Sequence, residues 1–241
     1  MAVDLALIEQ LREFETPTVA ESLLALGCAD NHRYFTGSEI KLMTAVHHPM
    51  VGVAISLIVD TSTPELEKNV EGVIQVGDNM SALSLPTIVV MHSVGARMSH
   101  ECVAGDGMCK SFQSKGAVGL VADGGIRDID AINQLGFPAY ASGAVSDHAT
   151  LNYKLATEPI TVSGVAIDHG DLLHGDCNGV HLIPVKYYHA IVEACCLTRD
   201  FETRAHILNR RTDLNAGEQF EKVGKLAIER QEKCMALMVK S

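Results

Sequence analysis

Residues 105–128 read "GDGMCKSFQSKGAVGLVADGGIRD", and the alternation inside this stretch decides the fold class. "AVGLVAD" (117–123) is a short apolar run ending at a glycine pair, the pattern of a buried strand that runs out into a turn. Before it, "GDGM" leads into a segment with Met108 and Phe112 on one side, the pattern of a helix start. After it, Arg127 and Asp128 arrive just as a helix over "IDAINQLG" (129–136) begins. Helix, strand, glycine turn and helix in succession indicate an α/β domain. The same stretch sets Asp106, Arg127 and Asp128 on bends of bare backbone, where glycine lets a ligand or another segment approach closely.

Outward from this block the alternation continues. β-Branched runs bounded by turn residues predict strands over "GVAISLIV" (52–59), "TIVVM" (87–91), "PAYAS" (138–142), "ITVSGVAI" (160–167) and "GVHLIPV" (179–185). Two short helices are expected at the start, "DLALIEQLREF" (4–14) and "TPTVAESLLALG" (16–27), the second with Thr16 as cap, Pro17 in its first turn and Gly27 as its stop. From Lys186 the spacing of apolar residues becomes helical, through "KYYHAIVEACCLTRDFETRAHIL" and "GEQFEKVGKLAIERQEKCMALM". The expectation is an α/β domain over 1–190, with a mixed central sheet flanked by helices, and a helical extension over 191–241 that serves packing or oligomerisation.

Composition limits what such a chain can do. Its 241 residues are 47% hydrophobic and 20% charged, enough to bury a sizeable core. Nineteen Lys and Arg against thirty Asp and Glu give a formal charge of −11, without a block of basic residues, which disfavours nucleic acid and anionic membranes as partners. The seven cysteines are scattered apart from Cys195-Cys196 and show no zinc spacing, so they read as reduced thiols. "MAVDLALIEQLREFETPT" has acidic residues where a signal peptide needs a basic start, and no window approaches about 18 apolar residues. A cytoplasmic protein is expected.

Read chemically, "AGDGM" ends a loop and begins a helix whose N–H groups at Gly107 and Met108 are free to receive a carboxylate. Arg127 would help to hold that anion, and Asp106 and Asp128 could hold a hydrated divalent metal. The same residues admit a plainer account, in which Arg127 and Asp128 are a surface ion pair and Asp128 caps the helix that follows.

An Asp, twenty intervening residues and then Arg-Asp resembles the signature of the class II pyruvate aldolases of the 4-hydroxy-4-methyl-2-oxoglutarate aldolase type, within the RraA-like superfamily. "TPTVAESL", "GVAIS", "GFPAYASG" and "GDLLHGDCNGVHLIP" (170–184) fit the same resemblance, which covers about 16–210. It implies a swivelling-type α/β fold assembled as trimers or hexamers. It also implies Mg²⁺ or Mn²⁺ bound by Asp128, with Asp106 reaching the metal through water. Arg127 falls on the residue that contacts pyruvate, and Gly107 and Met108, with Gly105 beside them, on the carboxylate-binding backbone. Glu202 in "RDFETR" looks like the Glu that a neighbouring subunit supplies. Gly107-Met108 departs from the family's usual Leu-Leu. The implied activity is cleavage of a 4-hydroxy-2-oxo acid to pyruvate and a second oxo compound, accompanied by oxaloacetate decarboxylation. No lysine lies in the glycine-turn constellation to form a Schiff base, whereas Asp128 offers a hard oxygen ligand.

The alternative is a non-catalytic regulator resembling the RraA ribonuclease inhibitors, which carry Gln where this chain has Asp128. A methyltransferase is disfavoured because no G-x-G-x-x-G opens a helix. His47 and His48 are adjacent in an extended segment and point to opposite faces, so they do not share one ion. His92, His100, His169 and His174 could line a cleft, and Cys102 and Cys109 read as packing residues.

Overall fold

The computed structural model describes residues 3–61, 68–98, 100–147 and 152–239. Seven helices and thirteen strands are assigned within them. The helices are α1 (Leu5–Leu11), α2 (Thr16–Ala25), α3 (Glu71–Ala82), α4 (Asp106–Ser114), α5 (Ile129–Gln134), α6 (Ile191–Asn209) and α7 (Ala216–Leu237). The strands are β1 (Lys41–Leu42), β2 (Met50–Asp60), β3 (Thr87–Val94), β4 (Cys102–Ala104), β5 (Ala117–Ala122), β6 (Gly125–Ile126) and β7 (Ala139–Ala141). They continue with β8 (Gly143–Ala144), β9 (Asn152–Leu155), β10 (Ile160–Val162), β11 (Val165–Ile167), β12 (Leu172–Asp176) and β13 (Gly179–Ile183). Two compact units result. One comprises 3–16 and 32–184, the other 17–31 with 185–239.

The first unit is built on a mixed sheet in the order β1-β7-β5-β3-β2-β12-β13, in which β2, β3, β5 and β7 are parallel. β2 is the longest strand and is buried on both faces, the expected environment for a parallel strand of continuous apolar residues. Ile55, Leu57 and Val59 pack with α3, α4 and α5 through Val76, Met80, Cys109, Phe112 and Ile132. Met50 and Ala54 point the other way, into a core with Tyr140, Leu173 and the β10–β11 hairpin.

On its far edge β2 is shared between two strands, β12 beside Met50–Val53 and β9 beside Leu57–Asp60. The seam between them still satisfies its backbone groups. Ala54 exchanges bonds with Asp171 O and Gly170 N at 2.8 and 2.9 Å, while Ser56 N–H donates to His169 Nδ1 at 3.2 Å and Ser56 O accepts from Ala156 N at 3.0 Å. A smaller parallel sheet, β4-β6-β8, stands at the carboxyl ends of β3, β5 and β7.

Two segments differ from the sequence-based expectation, and a third, 71–82, carried none. "ITVSGVAI" is a tight hairpin because Ser163 and Gly164 both take positive φ, +51° and +80°. Such a pair gives a two-residue turn that matches strand twist. Residues 71–82 form a helix despite their two internal glycines, because Val76 and Met80 are buried on one face. The C-terminal helix expected from Lys186 begins only at Ile191, after a short 3-10 turn over Val185–Tyr187.

The helical unit holds α2, α6 and α7 together by polar as well as apolar contacts. Ser22 Oγ donates to Thr198 Oγ1 at 2.8 Å, Gln231 Nε2 donates to Ala25 O at 3.0 Å, and the Arg230 guanidinium lies 4.5 Å from the centre of the Phe201 ring. Asn215 and Glu218 form a reciprocal capping box at the start of α7. None of the described helices is long and apolar enough to cross a membrane.

His174 and His181 face each other across β12 and β13, and both are buried. His174 lies between Thr16 Oγ1 at 2.9 Å and Leu11 O at 3.1 Å, a neutral-ring pattern and not a cleft position. Burial holds both rings below the usual histidine range, His181 at about 4. The unfolded chain takes up these protons near pH ~6.5 while the folded protein resists them. Stability is therefore fully present above that pH and is lost as pH falls toward 4. Denaturant midpoints measured from pH 7 to 4.5 should fall, and His181→Gln should make that slope shallower. An unchanged slope would assign the acid sensitivity to carboxylates instead.

Candidate functional site

The site is assembled where β4 and β6 run side by side. Cys102 pairs with Gly125, and Arg127 N–H donates to Ala104 O at 3.1 Å, which brings the start of α4 against the start of α5. Gly105 is the N-cap of α4 and offers no side-chain cap, so the first-turn N–H of Met108 keeps its donor capacity, while that of Gly107 is shared with the Asp106 carboxylate. A Cβ on Gly105 would stand 2.6 Å from Asp128 Oδ2 and 3.3 Å from Arg127 Cγ, so any side chain here would displace the Asp128 carboxylate.

Asp128 adopts a left-handed conformation, φ 59° and ψ 36°, at the N-cap of α5. Its carbonyl opens the helix by accepting from Ile132 N at 3.0 Å, but its carboxylate makes no capping bond. The plainer account of Asp128 as a side-chain cap therefore fails. The carboxylate turns instead into a cleft of about 230 Å³ lined by Lys68, Cys102, Val103, Ala104, Gly105, Asp106, Gly107, Met108, Arg127, Asp128 and Tyr153. Arg127 Nε lies 3.4 Å from Asp128 Oδ2, with both side chains about two-fifths exposed, so the pair is loose and open to an additional partner.

Asp106 is the first residue of α4. Lys110, one turn on, donates to its Oδ2 at 2.5 Å and is the main reason its carboxyl sits below the ordinary range. Asp106 also interacts with Asp128 and with the N–H of Gly107. Cys102 and Cys109 are buried thiols; burial raises both, Cys109 to about 12, so neither is a thiolate nucleophile. All seven cysteines are free.

Thus Gly105, Asp106, Gly107, Met108, Arg127 and Asp128 come together in one cleft, as the sequence analysis expects. Glu202 lies half-buried on α6 in the helical unit and is not among the residues lining the cleft. Lys68 and Tyr153 line the cleft without having been anticipated, and Lys68, with Lys110 on Asp106, overturns the expectation that no lysine stands at this constellation. Tyr153 donates to Val103 O at 3.1 Å and braces β4 from β9. His92 is engaged elsewhere, its Nδ1 2.5 Å from Asp123 Oδ2, and Asp123 also accepts from Ser93 N at 2.6 Å. Asp123, directly before the glycine pair, thereby ties the end of β5 to that of β3. His48 and His47 line two different cavities, of about 550 and 240 Å³. The larger is walled by Pro49, Met50, Val118 and Phe137 and holds no carboxylate, and in the other, lined by Glu13, Glu15 and Asp176, the Asp176 carboxylate is taken by the N–H groups of Thr16 and Asn178, so the chemistry is placed in the cleft of Asp128.

The donor chemistry of that cleft suits one kind of cation. Among the described residues no three His, Cys, Asp or Glu side chains are arranged to hold a metal. One or two carboxylates, with water and substrate completing the shell, is the arrangement that Mg²⁺ accepts and that a structural zinc site does not. Asp128 and Asp106 fit a hydrated hard cation on these grounds.

A model of the RraA-like family, described as Aldolase/RraA, matches residues 17–182. The chain belongs to the RraA-like family. It is 33% identical over 115 residues to a Halalkalibacterium halodurans protein provisionally named as a 4-hydroxy-4-methyl-2-oxoglutarate aldolase, a match covering 45% of this chain and 54% of that protein. The chain spans about half the length of the curated relatives it matches. Among solved structures, Streptomyces coelicolor RraAS2, described as an unusual member of the RNase ES inhibitor RraA protein family, superposes with a TM-score of 0.66 at 23% identity. That match covers 88% of this chain and 99% of RraAS2. A structure described as one of novel cellulases from gut-associated microbes superposes at 0.70 with 20% identity, over 84% and 87% of the two chains. Both show a common RraA-like fold: a mixed sheet flanked by helices.

Gly105→Ala would push Asp128 Oδ2 out of its present position without touching the core. Mn²⁺ affinity, followed by electron paramagnetic resonance, should fall about tenfold or more, the scale seen when a ligand's support is lost. Unaltered affinity would show that Asp128 does not bind the ion from where it stands.

Proposed function

We propose that this RraA-like protein is a divalent-metal-dependent lyase that cleaves 4-hydroxy-2-oxo acids to pyruvate and a second oxo compound, and that it also decarboxylates oxaloacetate. The observation that carries the proposal is the release of the Asp128 carboxylate from helix capping into a cleft shared with Asp106, Arg127 and the open N-terminus of α4. The provisional name of the Halalkalibacterium halodurans relative supports it.

Asp128, with Asp106 through water, would hold Mg²⁺ or Mn²⁺, which when bound supplies a Lewis acid for the carboxylate and ketone oxygens of the substrate. The N–H groups of Gly107 and Met108 receive the substrate carboxylate, as helix N-termini do. As the C3–C4 bond breaks, its electron pair becomes the enolate of pyruvate. Arg127 is permanently cationic and planar, and it donates to the oxygen on which that charge gathers. Meanwhile the 4-hydroxyl gives up its proton and C4 becomes a carbonyl. Asp106, held ionised by Lys110, orients a water to take that proton. Protonation at C3 completes pyruvate, and the same enolate arises when oxaloacetate loses carbon dioxide. Trimeric or hexameric assembly, with Glu202 supplied by a neighbouring copy, belongs to the same proposal. Light scattering that shows a monomer would remove Glu202 from it.

Pyruvate release from a panel of 4-hydroxy-2-oxo acids and oxaloacetate is expected to require Mg²⁺ or Mn²⁺ and to stop in EDTA. Full activity in excess chelator, or inactivation by borohydride with pyruvate, would point to a Schiff base and sink the metal route. Asp128→Asn should recover part of its lost activity at high Mn²⁺. Arg127→Lys should lose about 10²-fold or more in turnover without such rescue, the scale of one oxyanion donor. Equal, metal-insensitive losses would reduce the two residues to an ion pair.

A further inference from the structure

Helix α7 has two faces. The inner one turns Leu226 and Arg230 toward Phe201 and Arg204 of α6 and buries Cys234 and Leu237. The outer one carries Phe220, Gly224, Ile228 and Met235, whose steps of four and seven residues keep them on one side of a helix. Phe220 is 82% exposed and Ile228 61%. Met235 reaches toward Gly27 at the end of α2 and still leaves 44% of itself in solvent. The row runs for about 22 Å, four turns of helix.

Gly224 adds a second observation. A Cβ there would meet nothing within 4 Å, and its φ is not in the left-handed region, so neither packing nor backbone geometry within one chain calls for glycine. Glycine is unfavourable inside a helix, yet this one stands in the middle of the exposed row. What it permits is the close approach of another backbone.

The charges beside the row select what approaches. Lys225 and Glu232 flank Ile228 on the same side, about one turn before it and one turn after. Lys225 bonds to Glu221 of its own helix at 2.6 Å, and Glu232 is exposed and, among the described residues, unpaired. When a second α7 lies antiparallel with Ile228 on a two-fold axis, the same flanks meet. Lys225 of each copy then falls beside Glu232 of the other, and Phe220 covers Met235. A parallel partner would set Lys225 against Lys225 and Glu232 against Glu232. The face is self-complementary in one direction only.

We infer that the outer face of α7 is an isologous contact, at which two copies of this chain pair their α7 helices antiparallel about Ile228. The contact lies beyond residues 17–182, which the family model matches. It is separate from Glu202 on α6 and does not rest on the lyase reading.

Sedimentation velocity on the full chain across a concentration series tests the pair. The wild-type mass is expected to be an even multiple of the chain, and Ile228→Glu to halve it, weakening the contact about thirtyfold or more as loss of a central interface residue does. Because Ile228 is exposed in the single chain, this variant should keep its helix content by circular dichroism. Lys225→Glu should weaken the pair, and Lys225→Glu combined with Glu232→Lys should restore it. Under oxidation Ile228→Cys should crosslink to its own copy and Phe220→Cys should not, each read against the wild-type protein, which already exposes Cys177 and Cys196. A wild-type monomer or other odd multiple, or an Ile228→Glu mass equal to that of the wild type, would overturn the inference. Equal crosslinking of both cysteine variants, or no rescue by the double exchange, would overturn the antiparallel register and the inference with it.

Discussion

The site depends on one close approach, the backbone of Gly105 passing against the side chains of Arg127 and Asp128. With 2.6 Å between a notional Cβ and Asp128 Oδ2, the space is already filled by carboxylate. The approach is imposed by β4 and β6, whose pairing is too short to be stable alone and leans on neighbours. Tyr153 braces Val103 from β9, Ser142 N–H donates to Gly124 O at 3.2 Å, and Val145 N–H donates to Ile126 O at 3.0 Å. Each of these bonds holds a segment of the glycine turn. Together they offset the strain of a left-handed aspartate, a conformation that costs about 1–3 kcal/mol for most non-glycine residues and collects at functional sites.

Much of the architecture could be read from the sequence because the strands β2, β3 and β5 are apolar on both faces and bounded by turn residues. The cleft was legible for a related reason: glycines on either side of Asp106 and before Arg127 mark bends of bare backbone, and a Cβ at Gly105, Gly124 or Gly125 would stand 2.6, 2.5 or 2.7 Å from a neighbouring side chain. What was not legible came from distant segments. Tyr153 reaches the cleft through the pairing of β9 with β2, and Lys68 through the bridge of its neighbour Asn69 to Asn152, contacts between residues some eighty to a hundred positions apart that leave no local trace. Asp123 read only as the last residue of a strand run, yet its carboxylate is spent on His92 and Ser93. The Ser163-Gly164 turn was hidden because β-branched residues flank it on both sides, so the pattern reads through as one strand. The association of α2 with α6 and α7 rests on bonds such as Ser22 to Thr198 that no periodicity foretells.

RraA-like proteins share a fold across different roles, so the fold says little about activity, and the chemistry has to be argued from the cleft. Two features of this chain distinguish a built cleft from a common turn. Asp128 forgoes the capping bond that its position invites, and Gly107 forgoes a side chain that its surroundings would accept. Both choices lower local stability, and both leave polar backbone or carboxylate facing the same space.

The divided edge of β2 bears on how the first unit folds. Its partners on that side come from 152–155 and 172–175, and the groups that close the seam from Ala156, His169, Gly170 and Asp171. During synthesis β2 can pair with β3 early, but one edge must wait for more than a hundred further residues. Such distant pairing slows folding, because the chain entropy is lost before the contact forms. Until then an eleven-residue apolar strand shows an open edge, the exposure on which misassociation begins. A nascent chain stalled before residue 172 should therefore be the most aggregation-prone species that this protein passes through.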